Sequence, residues 1–175
     1  GGDWVFGGTG SDLLILGAGD NAAMGDSGVL TYGADVLTMT GNADARDGDD
    51  TVDAGVGSDS VILGGGADVA VLSAGDNIAL GDSGTVDLGA GAVSTTADVT
   101  DGADDIRTGG GVDIVAAGGA DDVLTLGSGD NLILGDSGTI LYNVGTRAGL
   151  SLTSAAAAQD GNDSIVAAGG ADAIV

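Results

Sequence analysis

A nine-residue repeat runs through most of the chain and limits what it can fold into more than any other feature. Each copy joins a glycine-rich turn of six residues, which ends in Asp or Asn, to a short strand of three residues. Residues 7–15 and 16–24 are consecutive copies, and residues 45–80 and 99–134 each hold four copies end to end. Self-similarity at a fixed period is the signature of a solenoid, in which each unit stacks on the next. The period therefore predicts a repetitive structure of turns and short strands.

The composition also favours turns over helices. Of the 175 residues, 37 are Gly and 27 are acidic, and every acidic residue is Asp. Asp competes for backbone hydrogen bonds in turns, whereas Glu, which is absent, is the better helix former. We therefore expect an all-β chain in which helices are absent or rare.

The charge of the chain calls for a cation. The formal net charge is −24, yet 43% of the residues are hydrophobic, which is not typical of a disordered acidic tail. Carboxylates and backbone carbonyls suit Ca²⁺, and the chain has no His or Cys to bind zinc or copper. On the order of ten Ca²⁺ ions would nearly cancel the charge. The same negative charge excludes nucleic acid as a partner.

The repeat resembles that of the RTX (repeats-in-toxin, hemolysin-type) family, which reads G-G-x-G-x-D-x-U-x. The resemblance implies a right-handed parallel β-roll, in which two repeats make one coil. It also implies that Ca²⁺ lies between successive turns, held by backbone carbonyls and by the carboxylates at position six. Matching this pattern residue by residue gives the predicted calcium ligands Asp3, Asp12, Asp50, Asp59, Asp68, Asp104, Asp113, Asp122, Asp163 and Asp172.

At position six, Asn21, Asn77 and Asn131 depart from the family pattern. We include these residues among the metal ligands, either as weaker ligands or as ligands that recruit the preceding acidic residue. Those preceding residues are Asp20, Asp76 and Asp130.

A longer period is superimposed on the short one. The string Gly-Asp-Ser-Gly occurs at residues 25–28, 81–84 and 135–138, and it opens the less regular stretches 25–44, 81–98 and 135–157. We divide the chain into modules at about 7–62, 63–116 and 117–175, within one continuous roll that has no separate domains. Each irregular stretch is expected to form one more coil with small bulges. The acidic residues of the string, Asp26, Asp82 and Asp136, are predicted as further calcium ligands.

The repeat also predicts the shape of the roll. About ten coils, each adding about 4.8 Å, would make a rod roughly 45 Å long. The side chain at position eight should point inward. These side chains belong to Val5, Leu14, Ala23, Val52, Val61, Ala70, Ala79, Ile106, Val115, Leu124, Ile133, Ile165 and Ile174.

One outer sheet face is expected to be apolar, because many residues at positions seven and nine are aliphatic or aromatic. Such a face marks an interface unless something covers it. The irregular stretches could fold back over it, but residues 89–97 are almost wholly Gly, Ala, Ser and Thr and would make a poor lid. This favours self-assembly through an interface formed by Trp4, Phe6, Met24, Ile62, Ile78, Leu80, Ile114, Leu132, Leu134 and Val175.

We expect no enzymatic activity from this chain. The Gly-Asp-Ser-Gly string resembles the one around the nucleophile of chymotrypsin-like proteases, but the chain has no His to act as a base for Ser27, Ser83 or Ser137.

No window reaches the roughly 18 apolar residues of a membrane-spanning helix, so no transmembrane segment is expected.

The predicted function is structural. Weak calcium sites would stay empty inside a cell, so we expect the chain to fold outside it, as a secreted or cell-surface bacterial protein. The long period suggests a repeat from a surface filament, adhesin, biofilm matrix or surface layer. The resemblance also implies type I secretion, and it leaves open an alternative: a secretion and folding module of an exported protease, lipase or epimerase.

Overall fold

The chain folds entirely into β-structure. The computed structural model describes residues 1–34 and 36–175, and Asp35 of the first irregular stretch lies outside them. The described residues contain strands and turns and no helix, as the composition predicts. Accordingly, they include no apolar helix long enough to cross a membrane. The strands form three sheets, two of them parallel and one antiparallel.

The two parallel sheets are built from the nonapeptide repeats. Sheet 1 has seven strands: β1 (Trp4–Phe6), β3 (Ala22–Met24), β7 (Ser60–Ile62), β9 (Ile78–Leu80), β13 (Ile114–Gly118), β15 (Leu132–Asp136) and β19 (Ala173–Ile174). Sheet 2 has six: β2 (Leu13–Ile15), β6 (Thr51–Gly55), β8 (Val69–Leu72), β12 (Asp105–Thr108), β14 (Val123–Leu126) and β18 (Ser164–Ala167). The chain alternates between these sheets, which is the arrangement of a β-roll.

Position-eight side chains meet between sheets 1 and 2, as predicted. Val61, Ile106 and Ile133 are fully buried there, whereas Ile174 in the last strand is half exposed. Further buried side chains were not predicted from the sequence, because several strands extend into position one of the next repeat, which also points inward. These residues are Ala54, Leu63, Leu72, Ala117 and Leu126.

The third sheet is formed by the irregular stretches, and we call it the hairpin sheet. Its strands are β4 (Gly28–Gly33), β5 (Val36–Gly41), β10 (Gly84–Asp87), β11 (Ala92–Thr95), β16 (Gly138–Tyr142) and β17 (Gly149–Ser154). Each irregular stretch forms one antiparallel hairpin, and β5 pairs with β10 and β11 with β16, so the hairpins join edge to edge.

The prediction that each irregular stretch forms one more coil is therefore wrong. These stretches lack the glycine spacing that makes the turns of the repeat, so nothing in them closes a coil. The predicted length is also wrong, because hairpins do not lengthen the roll. Seven strands at about 4.8 Å apart make a stack about 30 Å long.

The hairpin sheet covers the apolar outer face of sheet 1. Met39, Val86, Val93 and Ile140 of the hairpins are completely buried against it. The predicted interface residues that lie beneath this cover are inaccessible, so their assignment to an intermolecular interface is wrong. They are Met24, Ile62, Ile78, Leu80, Ile114, Leu132 and Leu134, each at most 5% exposed.

The prediction that residues 89–97 would cover sheet 1 poorly failed for a simple physical reason. In a strand only every second side chain faces the neighbouring layer, so the mean composition of residues 89–97 says little about the covering face. There, Val93 points into the core, and small or polar residues flank it. Of the predicted interface residues, Trp4, Phe6 and Val175, in or beside the end strands, remain exposed by 53%, 44% and 54%.

Candidate metal centre

The turns of the roll stack along two edges that differ in their acidic residues. Turns from sheet 1 to sheet 2 form what we call the aspartate edge, where position six is held by Asp12, Asp50, Asp68, Asp104, Asp122 and Asp163. Turns in the other direction form the asparagine edge. There Asp and Asn alternate from layer to layer, in the order Asp3, Asn21, Asp59, Asn77, Asp113, Asn131 and Asp172.

On the aspartate edge the carboxylates from Asp50 to Asp163 each accept a backbone N–H of the neighbouring layer, through Oδ1 only. The N–H of Asp50 donates to Oδ1 of Asp68 at 2.7 Å, and the N–H of Asp68 donates to Oδ1 of Asp104 at 2.9 Å. The same bond joins the other neighbours along this edge. The second oxygen, Oδ2, is buried without a hydrogen-bond partner in Asp12, Asp50, Asp68, Asp104 and Asp122.

Glycine makes room for these second oxygens. A Cβ on Gly25 would lie 2.3 Å from Oδ2 of Asp50, and a Cβ on Gly81 would lie 2.1 Å from Oδ2 of Asp104. Since carbon and oxygen cannot approach so closely, a side chain at either glycine would displace the carboxylate. The first glycine of the Gly-Asp-Ser-Gly string therefore shapes the pocket around the unpartnered oxygen.

The electrostatics of the aspartate edge disfavour ionised carboxylates. Burial, opposed in part by backbone hydrogen bonds and reinforced by neighbouring carboxylates, raises the pKa of Asp50 to about 6 and that of Asp68 to about 8. The same causes raise the pKa of Asp122 to about 7 and that of Asp104 well above its usual value. A divalent cation among them would stabilise the charged forms.

The asparagine edge satisfies the same positions with amide hydrogen bonds. Nδ2 of Asn77 donates to the carbonyls of Ser73 and Gly75 and to Oδ1 of Asp113, each at 3.1 Å. Asn21 and Asn131 make the equivalent bonds. The amide thus binds the turn carbonyls that would otherwise be free to coordinate a cation.

Few carboxylate oxygens on the asparagine edge need a cation. The hydroxyl of Thr108 donates to Oδ2 of Asp113 at 2.6 Å. Among the described residues of the asparagine edge, only Asp59 keeps a buried carboxylate oxygen without a partner. Asp20, Asp76 and Asp130 are exposed and accept backbone N–H bonds from the next layer.

The Gly-Asp-Ser-Gly string forms the base of each hairpin, which we call its neck. Asp26 and Asp82 each accept a backbone N–H from the next layer through Oδ2, from Gly65 at 3.0 Å and Gly119 at 2.6 Å. Their Oδ1 atoms are buried without partners. The third copy differs, because Oδ1 of Asp136 accepts the N–H of Gly161 at 3.1 Å.

The other residues of the string close the neck. The Ser27 carbonyl accepts the N–H of Asn42 at 3.0 Å, and Ser83 and Ser137 make the same contact with Thr96 and Ala155. Gly84 lets the two strands of the hairpin pair closely above sheet 1, since a Cβ there would lie 2.2 Å from the Ser94 carbonyl oxygen of β11 and 2.7 Å from Cδ2 of Leu80 in sheet 1. The serines therefore have a structural place at the hairpin base.

The sequence analysis missed one acidic residue at each neck. In Asp47, Asp101 and Asp160, Oδ1 is buried without a partner, while Oδ2 accepts the N–H of the residue three positions earlier at 2.6–2.7 Å. A signal was present, because each of these residues opens an Asp-Gly-x-Asp string that ends at a position-six Asp.

The described residues do not form a closed metal cage from acidic side chains alone. No three carboxylates converge there as a metal-binding group. A cation in these turns would therefore need one or two carboxylates completed by backbone carbonyls. Ca²⁺ accepts such mixed sets of six to eight oxygen ligands.

Comparison with known families agrees with this chemistry. The RTX calcium-binding nonapeptide repeat matches the chain in four copies, at residues 1–29, 42–70, 98–133 and 157–175. The chain belongs to this RTX family. The matched ranges cover more than half of the RTX chain and leave out most of the hairpin sheet. No curated protein and no solved structure matched it.

RTX repeats bind calcium, and the aspartate edge fits that ion. Its buried oxygens without partners, its raised carboxyl pKa values and its nearby backbone carbonyls are the features that an oxygen-liganded divalent cation would satisfy. This RTX chain is therefore a calcium-binding structural repeat.

Proposed function

We propose that the chain is a calcium-rigidified rod segment of a secreted bacterial protein that acts at the cell surface, in a filament, adhesin, biofilm matrix or surface layer. The observation that carries the proposal is the row of buried carboxylate oxygens without partners along the aspartate edge. Each additional layer adds another such oxygen, so the demand for cations grows with the length of the roll.

Calcium would act as a bond between coils. The position-six Asp residues of the aspartate edge are the proposed main ligands, and those of the asparagine edge are proposed as minor ones. A cation shared by two layers replaces carboxylate repulsion with attraction to both layers. The two hydrophobic cores consist largely of Ala, Val, Leu and Ile. We therefore propose that the free energy of calcium binding decides whether the chain folds.

The calcium dependence supports the extracellular location. Sites of the kind found in extracellular modules have dissociation constants of about 10⁻⁴ to 10⁻³ M, far above the free calcium concentration in a cytosol. The chain would remain unfolded during synthesis and export, and it would fold where calcium is plentiful.

The test compares the full chain in calcium with the same chain in excess chelator. We expect a β-type circular dichroism spectrum only with calcium. The radius of gyration from small-angle scattering should fall from about 44 Å for an unfolded chain of this length to about 16 Å for a compact one. Magnesium at the same concentration is the control, since Mg²⁺ gives up its water reluctantly. An unchanged β spectrum in chelator would overturn the proposal.

A further inference from the structure

The necks bring together carboxylates that are distant in sequence. Asp26 lies at the start of the first hairpin and Asp47 after its end, yet both lie against Gly65 of the next layer: its N–H donates to Oδ2 of Asp26 at 3.0 Å, and a Cβ there would lie 3.3 Å from the Cβ of Asp47. Gly119 joins Asp82 and Asp101 in the same way, since its N–H donates to Oδ2 of Asp82 at 2.6 Å and a Cβ there would lie 2.8 Å from Oδ2 of Asp101. Neither pair follows the nonapeptide pattern, because Asp26 and Asp82 belong to the Gly-Asp-Ser-Gly string.

Each of these four residues keeps one buried oxygen without a partner. Asp26 is 2% exposed and Asp82 is 0% exposed, and Oδ1 of each is buried without a hydrogen bond. Oδ1 of Asp47 and of Asp101 is buried and unpartnered as well. Backbone N–H groups already occupy Oδ2 of all four residues. Two buried carboxylates held against the same glycine repel each other unless a proton or a cation lies between them.

We propose that Asp26 with Asp47, and Asp82 with Asp101, each form a calcium site at a hairpin neck, distinct from the position-six sites, that fastens the hairpin over sheet 1. This rests on the proposed function, because it takes calcium as the cation of the roll. The site holds the two ends of each hairpin together, and so it favours the docked position of the strands between them.

The third neck has the equivalent residues, Asp136 and Asp160. There Oδ1 of Asp136 accepts the N–H of Gly161 at 3.1 Å, and Oδ1 of Asp160 is buried without a partner. The proposal concerns the first two necks, where the turn of the next layer supplies Gly65 and Gly119 to the site.

The first hairpin carries its own optical probe. Trp4 of β1 is the only Trp in the chain, and its ring lies 5.5 Å from that of Tyr32 in β4. The emission of Trp4 therefore reports whether the first hairpin is docked. Circular dichroism reports the roll as a whole, so the two signals separate hairpin docking from folding.

The decisive variant is D26N/D47N, studied in the full chain by calcium titration. We expect the midpoint of the Trp4 emission change to move to a calcium concentration at least about tenfold higher, because two charged ligands are lost. The circular dichroism midpoint should move far less. Equilibrium dialysis should find one calcium ion fewer per chain than in the wild type.

The matched control is D82N/D101N, which makes the same change of charge at the second neck. It should also bind one calcium ion fewer, yet it should move the Trp4 midpoint much less than D26N/D47N does, because Tyr32 belongs to the first hairpin. If D26N/D47N fails to fold, D47N alone gives the same two readouts, since Asp47 takes no part in the ladder of position-six carboxylates.

The outcomes separate this proposal from the proposed function. If the wild type binds calcium and folds with it, but D26N/D47N keeps both the wild-type ion count and the wild-type Trp4 midpoint, the neck site is overturned and the calcium-rigidified rod stands. If the wild type itself folds without calcium, the proposed function fails first.

Discussion

At the scale of single residues, Asp and Asn at the same repeat position make different hydrogen bonds. An Asn supplies its own donor to the turn carbonyls, as Asn77 does with Ser73 and Gly75. An Asp in the same place has no hydrogen to donate, so its second oxygen needs a cation or a hydroxyl. The alternation of the two residues along the asparagine edge therefore lowers the number of cations that this edge requires.

The substitution N77D tests this difference. It removes the amide donors from a fully buried site and places a carboxylate against Asp113. We expect a loss of about 1–3 kcal/mol in the free energy of unfolding at low calcium, because buried acceptors lose their partners. High calcium should restore much of the loss and add one bound ion. Urea unfolding at two calcium concentrations measures both effects.

The control for N77D is N143D. Asn143 is exposed and uses its oxygen to accept the N–H groups of Gly145 and Thr146, which an Asp oxygen can do equally well. This variant should match the wild type at both calcium concentrations. Equal losses in the two variants would show that charge alone, and not the amide donor, explains the effect.

Buried carboxyl groups also predict how the calcium-free chain responds to pH. Burial raises the pKa of Asp68 to about 8 and that of Asp82 to about 9, from an unfolded value near 3.8. A group whose pKa is higher in the folded state stabilises that state fully below the unfolded pKa. The stabilisation is lost as pH rises through the folded value.

We therefore expect the calcium-free chain, which should be unfolded at pH 8.5, to gain β-type circular dichroism signal when pH is lowered to about 5.5, because protons then replace the missing cation. Circular dichroism spectra in metal-stripped buffer measure this gain. With saturating calcium the trend should weaken or reverse, since protons and calcium compete for the same oxygens. A calcium-free chain that becomes more stable as pH rises would contradict the burial of these groups.

At the scale of elements, the hairpins complete a second core on the outside of the roll. Met39 of β5 is completely buried there, together with Val86 of β10 and Leu80 of sheet 1. The face of sheet 1 is thus filled within the chain. Self-assembly of the chain, if it occurs, would have to use a different surface.

The substitution M39A measures how much the packing of the hairpins on sheet 1 contributes to the stability of the chain. Removing a buried Met side chain should lower the free energy of unfolding by about 2–5 kcal/mol in saturating calcium. L150A is the control, because Leu150 lies in the same sheet but is 70% exposed, and it should cost about 0.5 kcal/mol or less. Equal and small losses would mean that the hairpins do not pack on sheet 1 in solution.

At the scale of the whole molecule, the ladder of the aspartate edge links each layer to the next. Each carboxylate bonds the backbone of its neighbour, so ordering one turn helps to order the adjacent one. In such stacks, stability depends on the units and on the interfaces between neighbours. Calcium binding at one layer should therefore favour binding at the next.

We expect the circular dichroism signal of the full chain to rise more steeply with calcium than a single-site curve. D68N, in the middle of the ladder, should reduce this steepness more than D163N at its end, because Asp68 has ladder neighbours on both sides. A wild-type curve that fits independent sites would count against coupling between layers. Equal effects of the two substitutions would indicate that the coupling between layers does not depend on the ladder of carboxylates.

The sequence by itself determined the features that depend on local chemistry. The nine-residue period sets the turns, the short strands and the inward position eight, because glycine spacing and alternation act within a few residues. The RTX family, the calcium demand and the acidic residues of the necks could also be read from local strings, although Asp47, Asp101 and Asp160 were overlooked.

Only the tertiary structure decided where the irregular stretches go. Their alternating residues suit a strand in a coil as well as one in a hairpin, and the choice depends on contacts with sheet 1, which lie far apart in the sequence. The proximity of Asp26 and Asp47 at Gly65 follows from that choice, because it exists only when the hairpin closes. Local chemistry specifies the turn and strand of each repeat. Which segment covers an apolar face depends on contacts between residues that are distant in the sequence, and those contacts form only in the folded chain.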